Sequence, residues 1–279
     1  MKLVRHGERG AERPALIDDQ GTLRYLSGHI GDITPQTLSP QGLDALRRLD
    51  PATLPAISGR PRLGVPLAGI GNVIGIGLNY RDHAAEANLP VPTEPIVFNK
   101  HTGSLSGPND PIVMPRGATK LDWEVELGVV IGSFARHVSP ADALSHVAGY
   151  VVCHDVSERA FQFDRGGQWV KGKSSPTFCP VGPWLVTADE VPDPQALGLW
   201  CEVNGTMRQN GSTSQMIFDV ATLISHLSQF MTLLPGDLIA TGTPAGVGWG
   251  KGTFLAPGDV VRLGVDGLGE QRQEIVVER

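Results

Sequence analysis

One segment of this sequence constrains the fold more than any other, because acidic and apolar residues alternate within residues 122–131. Successive side chains of a β-strand point to opposite faces, so the segment predicts a strand with one apolar face. That face would carry Trp123, Val125, Leu127, Val129 and Ile131. Glu124 and Glu126 would share the other face, where two like charges need water or a cation. The pattern therefore allows either a divalent-metal site or a strand face exposed to solvent.

Turn-forming residues are frequent, since the 279 residues include 35 glycines and 22 prolines. Together with several short apolar stretches, this favours a strand-rich α+β fold over a helical bundle. One helix is predicted within residues 39–50, with Ser39 near its N-cap, and a longer one within residues 217–233. A connector rich in proline and glycine places a boundary near residue 68. It separates a small N-terminal domain (1–68) from a larger domain (69–279).

The composition argues against several classes of protein. The formal net charge of -6 provides no basic excess for binding nucleic acid. No apolar run approaches the roughly 20 residues that a membrane-spanning helix needs, and the N-terminus lacks the apolar core of a signal peptide. Cys153, Cys179 and Cys201 are far apart in the sequence and are expected to be free thiols, which predicts a cytoplasmic location.

Further candidates for catalysis stand at the ends of predicted elements. Asp155 follows an apolar strand, where catalytic side chains are commonly displayed, although Asp155 or Ser157 could instead cap the next helix. His83 and Glu86 are three residues apart, so one helical turn would bring them side by side. A carboxylate beside an imidazole suits a general base that acts on water. The alternative is a histidine and a glutamate on a polar surface turn.

Two loops and two misleading motifs complete the set. Lys173 stands between glycine and serine and could reach an anionic substrate, or it could be an exposed loop lysine. The glycine-rich segment 241–248 could present backbone N–H groups to a carboxylate, or form a plain turn. Residues 5–7 (Arg-His-Gly) resemble a histidine phosphatase motif, but a predicted hairpin follows them. Residues 75–77 resemble a dinucleotide fingerprint whose third glycine is replaced by Tyr80.

Taken in order along the chain, the motifs resemble the fumarylacetoacetate hydrolase family. No single motif is specific, but their order and spacing match from about residue 70 to the C-terminus. The segments that carry the resemblance are GLNYRDHAAE (77–86), DWEVELG (122–128), DVSER (155–159), GKS (172–174) and TGTP (241–244). Within the family, the chain most resembles bacterial hydrolases of 2,4-diketo-3-deoxy sugar acids, such as the L-rhamnonate or L-fuconate derivative.

The resemblance implies a fold that the residue patterns alone do not supply. It implies a twisted, mixed β-sheet roll with a small N-terminal domain, assembled as a homodimer or a higher homo-oligomer. It also implies that Glu124, Glu126 and Asp155 bind Mg²⁺ or Mn²⁺, both of which accept these oxygen ligands.

The resemblance also assigns roles around the substrate. It implies that His83 and Glu86 activate a water molecule, on a segment that becomes ordered when substrate binds. The positions that match the substrate site are Arg159, Gln162, Lys173 and Thr243. In one respect the chain departs from the larger eukaryotic member, which has an additional acidic residue in the loop that follows its equivalent of Thr243. Residues 245–247 are Ala-Gly-Val here, so the orientation of water would fall to Glu86.

The reaction implied is metal-dependent hydrolysis of a C–C bond in a small 2,4-diketo acid, giving pyruvate and a second carboxylate. Ureidoglycolate lyase, hydroxymuconate isomerase or decarboxylase, and oxaloacetate decarboxylase are alternatives on the same metal site. Hydrolysis ranks first because His83 and Glu86 are both present, and an isomerase or decarboxylase needs no activated water. A non-catalytic protein on this fold would be expected to lack a metal carboxylate, and none of the three is missing.

Overall fold

The computed structural model describes residues 1–278, and that range contains eighteen β-strands and six α-helices. The strands are β1 (Lys2–His6), β2 (Arg13–Ile17), β3 (Leu23–Tyr25), β4 (Val73–Gly77), β5 (Ile96–Lys100), β6 (Leu105–Ser106), β7 (Ile112–Met114), β8 (Leu121–Asp122), β9 (Val125–Ile131), β10 (Val147–His154), β11 (Ser157–Glu158), β12 (Cys179–Pro180), β13 (Leu185–Thr187), β14 (Gly198–Val203), β15 (Thr206–Ser212), β16 (Leu238–Ala240), β17 (Val260–Val265) and β18 (Gly269–Val277). The helices are α1 (Pro40–Arg47), α2 (Arg81–Glu86), α3 (Arg159–Phe163), α4 (Val170–Lys173), α5 (Val220–Phe230) and α6 (Gly248–Lys251).

Most of the strands belong to two mixed sheets. The larger sheet has nine strands in the order β3-β2-β1-β13-β10-β9-β16-β4-β5, and β16 runs parallel to β4. The smaller sheet has five strands in the order β15-β14-β17-β18-β7, and β18 runs parallel to β7. The strand-rich α+β class predicted from the sequence is therefore confirmed.

The acidic strand predicted from alternation is β9, which lies inside the larger sheet between β10 and β16. Every residue of β9 is buried. Its predicted apolar face, which includes Val125 and Leu127, packs into a core shared with the smaller sheet and α5. Val130, on the opposite face, packs into a second core. The alternative of a solvent-exposed face for this strand is therefore wrong, because the fold covers both faces.

The first 68 residues supply part of the cover over the second face. β1 pairs with β13, so β1, β2 and β3 continue the nine-stranded sheet. Leu3, Leu16 and Leu67 pack in the same core as Val130 and Leu238. Burying one such side chain contributes about 1.5–3 kcal/mol. The domain boundary near residue 68 stays a prediction, and strands and core side chains from both sides of it meet in one sheet.

Both predicted helices form, with shorter bounds than their patterns suggested. α1 begins after Ser39, whose Oγ accepts a hydrogen bond from the N–H of Gly42 at 3.1 Å. α5 begins after Asp219, whose Oδ1 accepts one from the N–H of Thr222 at 2.7 Å. These caps satisfy N–H groups that a helix start leaves free. Within the described part of the chain, no helix has the length and apolar character that crossing a bilayer requires.

The phosphatase-like motif near the N-terminus has a structural role. Arg5 donates two hydrogen bonds to the carboxylate of Asp32, at 2.8 and 3.0 Å. His6 is buried in β1, and its ring packs edge-on against Tyr25 with centroids 5.4 Å apart. An arginine engaged in this way is not available to a phosphate group, which agrees with setting the motif aside.

Candidate active site

Three buried carboxylates meet where the strands β9 and β10 lie side by side. Glu124 directly precedes β9, Glu126 lies on it, and Asp155 directly follows β10. The backbone N–H of Asp155 donates to the carbonyl of Glu124 at 3.0 Å, which fixes the two chain segments against each other. One oxygen from each of the three carboxylates lies within 4.8 Å of the others.

Two buried cations compensate for part of this negative charge. Lys173 Nζ donates to Glu124 Oε2 at 2.8 Å and to Asp155 Oδ2 at 2.7 Å, and Arg159 donates to Glu124 Oε1 at 2.5 Å. Burial alone would raise the pKa of Glu124, but Lys173 and Arg159 outweigh it and hold that pKa well below its ordinary value. Burial opposes the charge of Lys173, but Asp155 and Glu124 raise its pKa, so the side chain is a cation at neutral pH.

Glu126 differs from the other two carboxylates. Its Oε2 accepts a hydrogen bond from the N–H of Gly242 at 3.0 Å, and within residues 1–278 no lysine or arginine forms an ion pair with it. Burial, with the charges of Asp155 and Glu124, raises the pKa of Glu126 well above its ordinary value. A buried carboxylate without a cationic partner, beside two others, suits a hard divalent cation that prefers oxygen ligands. The donor set therefore fits Mg²⁺ or Mn²⁺.

A buried lysine that no sequence motif marked supports the carboxylates. Lys100, at the end of β5, donates from Nζ to Asp155 Oδ1 at 2.5 Å. The same Nζ donates to the backbone carbonyls of Lys173 at 2.5 Å and Val156 at 3.2 Å. Lys100 therefore holds Asp155 and the chain at Lys173 in a fixed relation. Its role depends on contacts between residues distant in sequence, so local patterns gave no signal for it.

The alternative in which Asp155 or Ser157 caps the following helix is wrong. The N-cap of α3 is Glu158, which accepts a hydrogen bond from the N–H of Phe161 at 2.6 Å. The hydroxyl of Ser157 donates to the carbonyl of Asp155 at 3.0 Å. The carboxylate of Asp155 therefore caps no helix and is available to bind Lys100, Lys173 and a metal cation.

The short helix α3 presents Arg159 and Gln162 to the site. The guanidinium of Arg159 donates to Gln162 Oε1 at 3.0 Å and to Asp122 Oδ2 at 2.8 Å. Asp122 also accepts from the backbone N–H groups of Gly248 and Trp249, at 2.7 and 3.0 Å. Asp122 therefore joins α3 to the start of α6. Its place in the polar alternation of the acidic strand was the one signal that could have identified it.

His83 and Glu86 lie on α2, but they do not form a hydrogen bond. The distance from His83 Nδ1 to Glu86 Oε2 is 3.9 Å, and Nδ1 has no hydrogen-bond partner among the described residues. Glu86 Oε2 instead accepts from the N–H of Gly246 at 2.7 Å. Burial lowers the pKa of His83, outweighing the opposite effect of Glu124, so the imidazole is neutral at neutral pH.

The hydroxyl of Thr243 holds its turn against the acidic strand. It donates to the carbonyl of Val125 at 2.8 Å and accepts from Gln209 Nε2 at 2.7 Å. Gln209 Oε1 also accepts from the N–H of Val125 at 3.0 Å. Gln209 belongs to β15 in the smaller sheet, so this cross-link could not be read from the sequence near Thr243.

Seven of the nine site residues predicted from the sequence line one cavity of about 310 Å³. They are His83, Glu124, Glu126, Arg159, Gln162, Lys173 and Thr243. The other two, Asp155 and Glu86, do not line the cavity. Asp155 accepts a hydrogen bond from Lys173, and Glu86 accepts one from Gly246. The fold therefore gathers the predicted residues around a single space that a small molecule can enter.

Comparison with known proteins identifies the family to which the chain belongs. Residues 72–276 match the fumarylacetoacetate (FAA) hydrolase C-terminal family. A protein from Burkholderia ambifaria, named as a candidate hydrolase without a stated substrate, is 58% identical over 276 residues. That match covers 98% of this chain and 98% of the relative.

Solved structures resemble the whole chain. Fumarylacetoacetate hydrolase from Exiguobacterium antarcticum is 34% identical with a TM-score of 0.85, and the match covers 100% of both chains. Maleylpyruvate hydrolase from Sphingobium sp. SYK-6, determined with manganese(II) and pyruvate, is 29% identical with a TM-score of 0.85, again over 100% of both chains. The matched family, the full-length likeness and the three gathered carboxylates agree, and the chain belongs to the fumarylacetoacetate hydrolase family.

Proposed function

We infer that the protein is a Mg²⁺- or Mn²⁺-dependent hydrolase that cleaves a C–C bond in a 2,4-diketo acid. The substrate would be an acylpyruvate or a 2,4-diketo-3-deoxy sugar acid, such as the L-rhamnonate or L-fuconate derivative. The products would be pyruvate and a second carboxylate. The observation that carries the proposal is one cavity in which a neutral, unpartnered His83 accompanies the carboxylates of Glu124 and Glu126.

Glu124, Glu126 and Asp155 would hold the metal ion. When bound there, the ion supplies Lewis-acid chemistry that stabilises negative charge on a 2-oxo acid. The solved maleylpyruvate hydrolase contains manganese(II) and pyruvate, which supports this choice of metal and product.

The cations of the site would orient the substrate. Arg159 and Lys173 are buried and positively charged, so they would attract the carboxylate of a 2-oxo acid more strongly than cations exposed to water. Gln162 adds an amide next to Arg159, and Thr243 places its turn beside Glu126 through the N–H of Gly242. Because Lys173 holds its proton firmly, its contribution is positive charge rather than proton removal.

His83 would act as the general base. Its neutral imidazole lines the cavity and would take a proton from water, and the resulting hydroxide oxygen would bond to the distal carbonyl carbon, C4. The C3–C4 bond then breaks, the electron pair remains on C3, and C3 takes the proton that His83 removed from water, which completes pyruvate and restores the neutral imidazole. C4 leaves as the second carboxylic acid. Glu86 would position α2 through its bond to Gly246, because it is too far from Nδ1 to orient the ring by a direct hydrogen bond.

The test is metal-dependent release of pyruvate, coupled to lactate dehydrogenase. Chelator-treated protein would be supplied with acylpyruvates and a 2,4-diketo-3-deoxy sugar acid, with and without Mg²⁺ or Mn²⁺. Pyruvate that depends on the metal supports the proposal. If no substrate gives pyruvate, the favoured functions become ureidoglycolate lyase, oxaloacetate decarboxylase or a hydroxymuconate isomerase or decarboxylase.

The expected homodimer or higher homo-oligomer would be tested by light scattering after size-exclusion chromatography.

A further inference from the structure

The cavity has two chemically different ends. The buried end is formed by Glu124, Glu126, Arg159, Gln162 and Lys173, each at most 7% exposed. The remaining side chains around it are mostly apolar and become more exposed toward solvent. Phe98 and Trp169 are half-buried, whereas Phe163 and Trp249 are 37% and 41% exposed. The cavity therefore runs from a charged floor to an apolar mouth.

Four aromatic side chains make a continuous wall along this path. Ring centroids are 5.4 Å apart for Phe98 and Trp169, and 6.0 Å apart for Trp169 and Phe163. Phe163 and Trp249 follow at 5.3 Å. All three spacings lie in the range of favourable aromatic contact. We call Phe98, Phe163, Trp169 and Trp249 the aromatic wall.

Two glycines of β4 make room for this wall. A Cβ atom on Gly77 would lie 2.5 Å from the Trp169 ring, and one on Gly75 would lie 2.2 Å from the Phe98 ring. Both distances are too short for any side chain without displacement of the rings. The glycines that resembled a dinucleotide fingerprint therefore serve the close packing of aromatic side chains.

The aromatic wall is attached to the same elements as the charged floor. Phe163 follows Gln162 on α3, and the backbone N–H of Trp249 donates to Asp122 Oδ2 at 3.0 Å. At the floor, Lys173 Nζ lies 5.0 Å from the centroid of the Phe98 ring. A ligand anchored by its 2-oxo acid at the floor must therefore extend its other end along the wall.

Polyhydroxylated chains are poorly matched to this wall. Within residues 1–278, the polar side chains that line the cavity belong to the floor, His83 and Thr243, apart from the indole N–H groups of Trp169 and Trp249. A hydroxyl that loses water without gaining a partner costs about 1–3 kcal/mol. An alkyl or aryl group instead gains about 0.8 kcal/mol for each methylene removed from water.

We propose that the aromatic wall selects acylpyruvates whose acyl group is an unsubstituted alkyl chain or an aromatic ring, over 2,4-diketo-3-deoxy sugar acids. This inference rests on the proposed function and narrows its substrate class. Phe98, Phe163, Trp169 and Trp249 determine specificity by contacting the group on C4, and they take no part in bond breaking.

The experiment compares kcat/KM for pyruvate release from acetyl-, butanoyl-, hexanoyl- and benzoylpyruvate and from a 2,4-diketo-3-deoxy sugar acid. We expect kcat/KM to rise by about fourfold for each added methylene until the cavity is filled. The sugar acid should be the poorest substrate. Pyruvate from these compounds without a rise along the alkyl series, or with the sugar acid preferred, would overturn the inference and leave the proposed function intact. No pyruvate from any compound would overturn both.

A variant pair and a binding measurement make the test independent of turnover alone. Phe163→Ala should lower the ratio of hexanoyl- to acetylpyruvate kcat/KM by about tenfold, because the chain loses its contact at the mouth. Phe134→Ala removes an aromatic ring that is 60% exposed outside the cavity, and should leave the ratio unchanged. Calorimetric titration of chelator-treated protein should show tighter binding of hexanoate than acetate, and weaker hexanoate binding by Phe163→Ala. Equal affinities for the two carboxylates would contradict the role of the wall.

Discussion

Lys100 donates a hydrogen bond from Nζ to Oδ1 of Asp155 at 2.5 Å, and both side chains are completely buried. The contact joins the end of β5 to the end of β10, and it occupies the carboxylate oxygen that does not face Lys173. Asp155 is thus held from two sides. Loss of such a support around a metal ligand typically lowers metal affinity by about 10- to 100-fold.

Lys100→Met should weaken Mn²⁺ binding by about 10- to 100-fold, because Asp155 loses the donor that orients it. Calorimetric titration of chelator-treated protein measures the effect, and circular dichroism verifies that the variant is folded. Lys120→Met is the matched control, since Lys120 pairs with Asp164 at the surface and its side chain is 42% exposed. Unchanged Mn²⁺ affinity in folded Lys100→Met would show that the contact has no influence on the metal site.

Glu126→Gln should have opposite effects in the presence and absence of metal. Without metal, we expect stability at neutral pH to be retained or increased, because the amide removes a buried carboxylate whose pKa is raised and keeps an oxygen for Gly242. With Mn²⁺ at about 100 times its Kd, the wild type should gain about 2.7 kcal/mol, and the variant should gain far less. Thermal unfolding with chelator and with Mn²⁺ measures both effects. Glu274→Gln, at an exposed position, should gain as much as the wild type.

His83→Ala should reduce pyruvate release by about 10²- to 10⁴-fold, because the proton acceptor for water is lost. Mn²⁺ affinity should be unaffected, since none of the three candidate ligands is altered. Steady-state assays and calorimetric titration separate the two effects, and His29→Ala at an exposed position serves as the control. Turnover retained by His83→Ala would assign the base to another group.

His6 should make stability depend on pH in a defined direction. Burial, with a smaller effect of Arg13, lowers the pKa of His6 in the folded chain below its ordinary value of 6.5. The unfolded chain therefore takes up this proton first as the pH falls. The stability contribution is complete above pH 6.5 and declines below it, by at most about 1.4 kcal/mol per pH unit.

His6→Gln should consequently lose less stability than the wild type between neutral pH and about pH 5.5. Urea unfolding at the two pH values measures the difference. His29→Gln, which replaces an exposed histidine, should keep the wild-type dependence. If His6→Gln and the wild type decline equally, His6 is not among the groups that couple stability to pH.

Local signals in the sequence determined the elements that carry much of the site. Alternation over residues 122–131 identified β9 and the shared direction of Glu124 and Glu126, because side-chain direction in a strand repeats every two residues. The caps at Ser39 and Asp219 follow from similarly local chemistry. The ordered motifs also pointed to the correct family.

Tertiary structure alone decided how those residues are surrounded. The acidic strand is buried on both faces because side chains of the N-terminal segment and of the smaller sheet pack into the cores on its two sides, whereas its own pattern was also compatible with solvent. Cys153 and Cys179, 26 residues apart in sequence, have Sγ atoms 3.8 Å apart in the fold.

The supports at Lys100 and Gln209, and the aromatic wall, likewise depend on contacts between distant segments. Periodicity and capping depend on near neighbours in the chain, so the sequence determined which side chains are available at the site. Burial and ion pairing depend on which distant segments pack together, so only the fold decided their charge, their partners and the space left for a substrate.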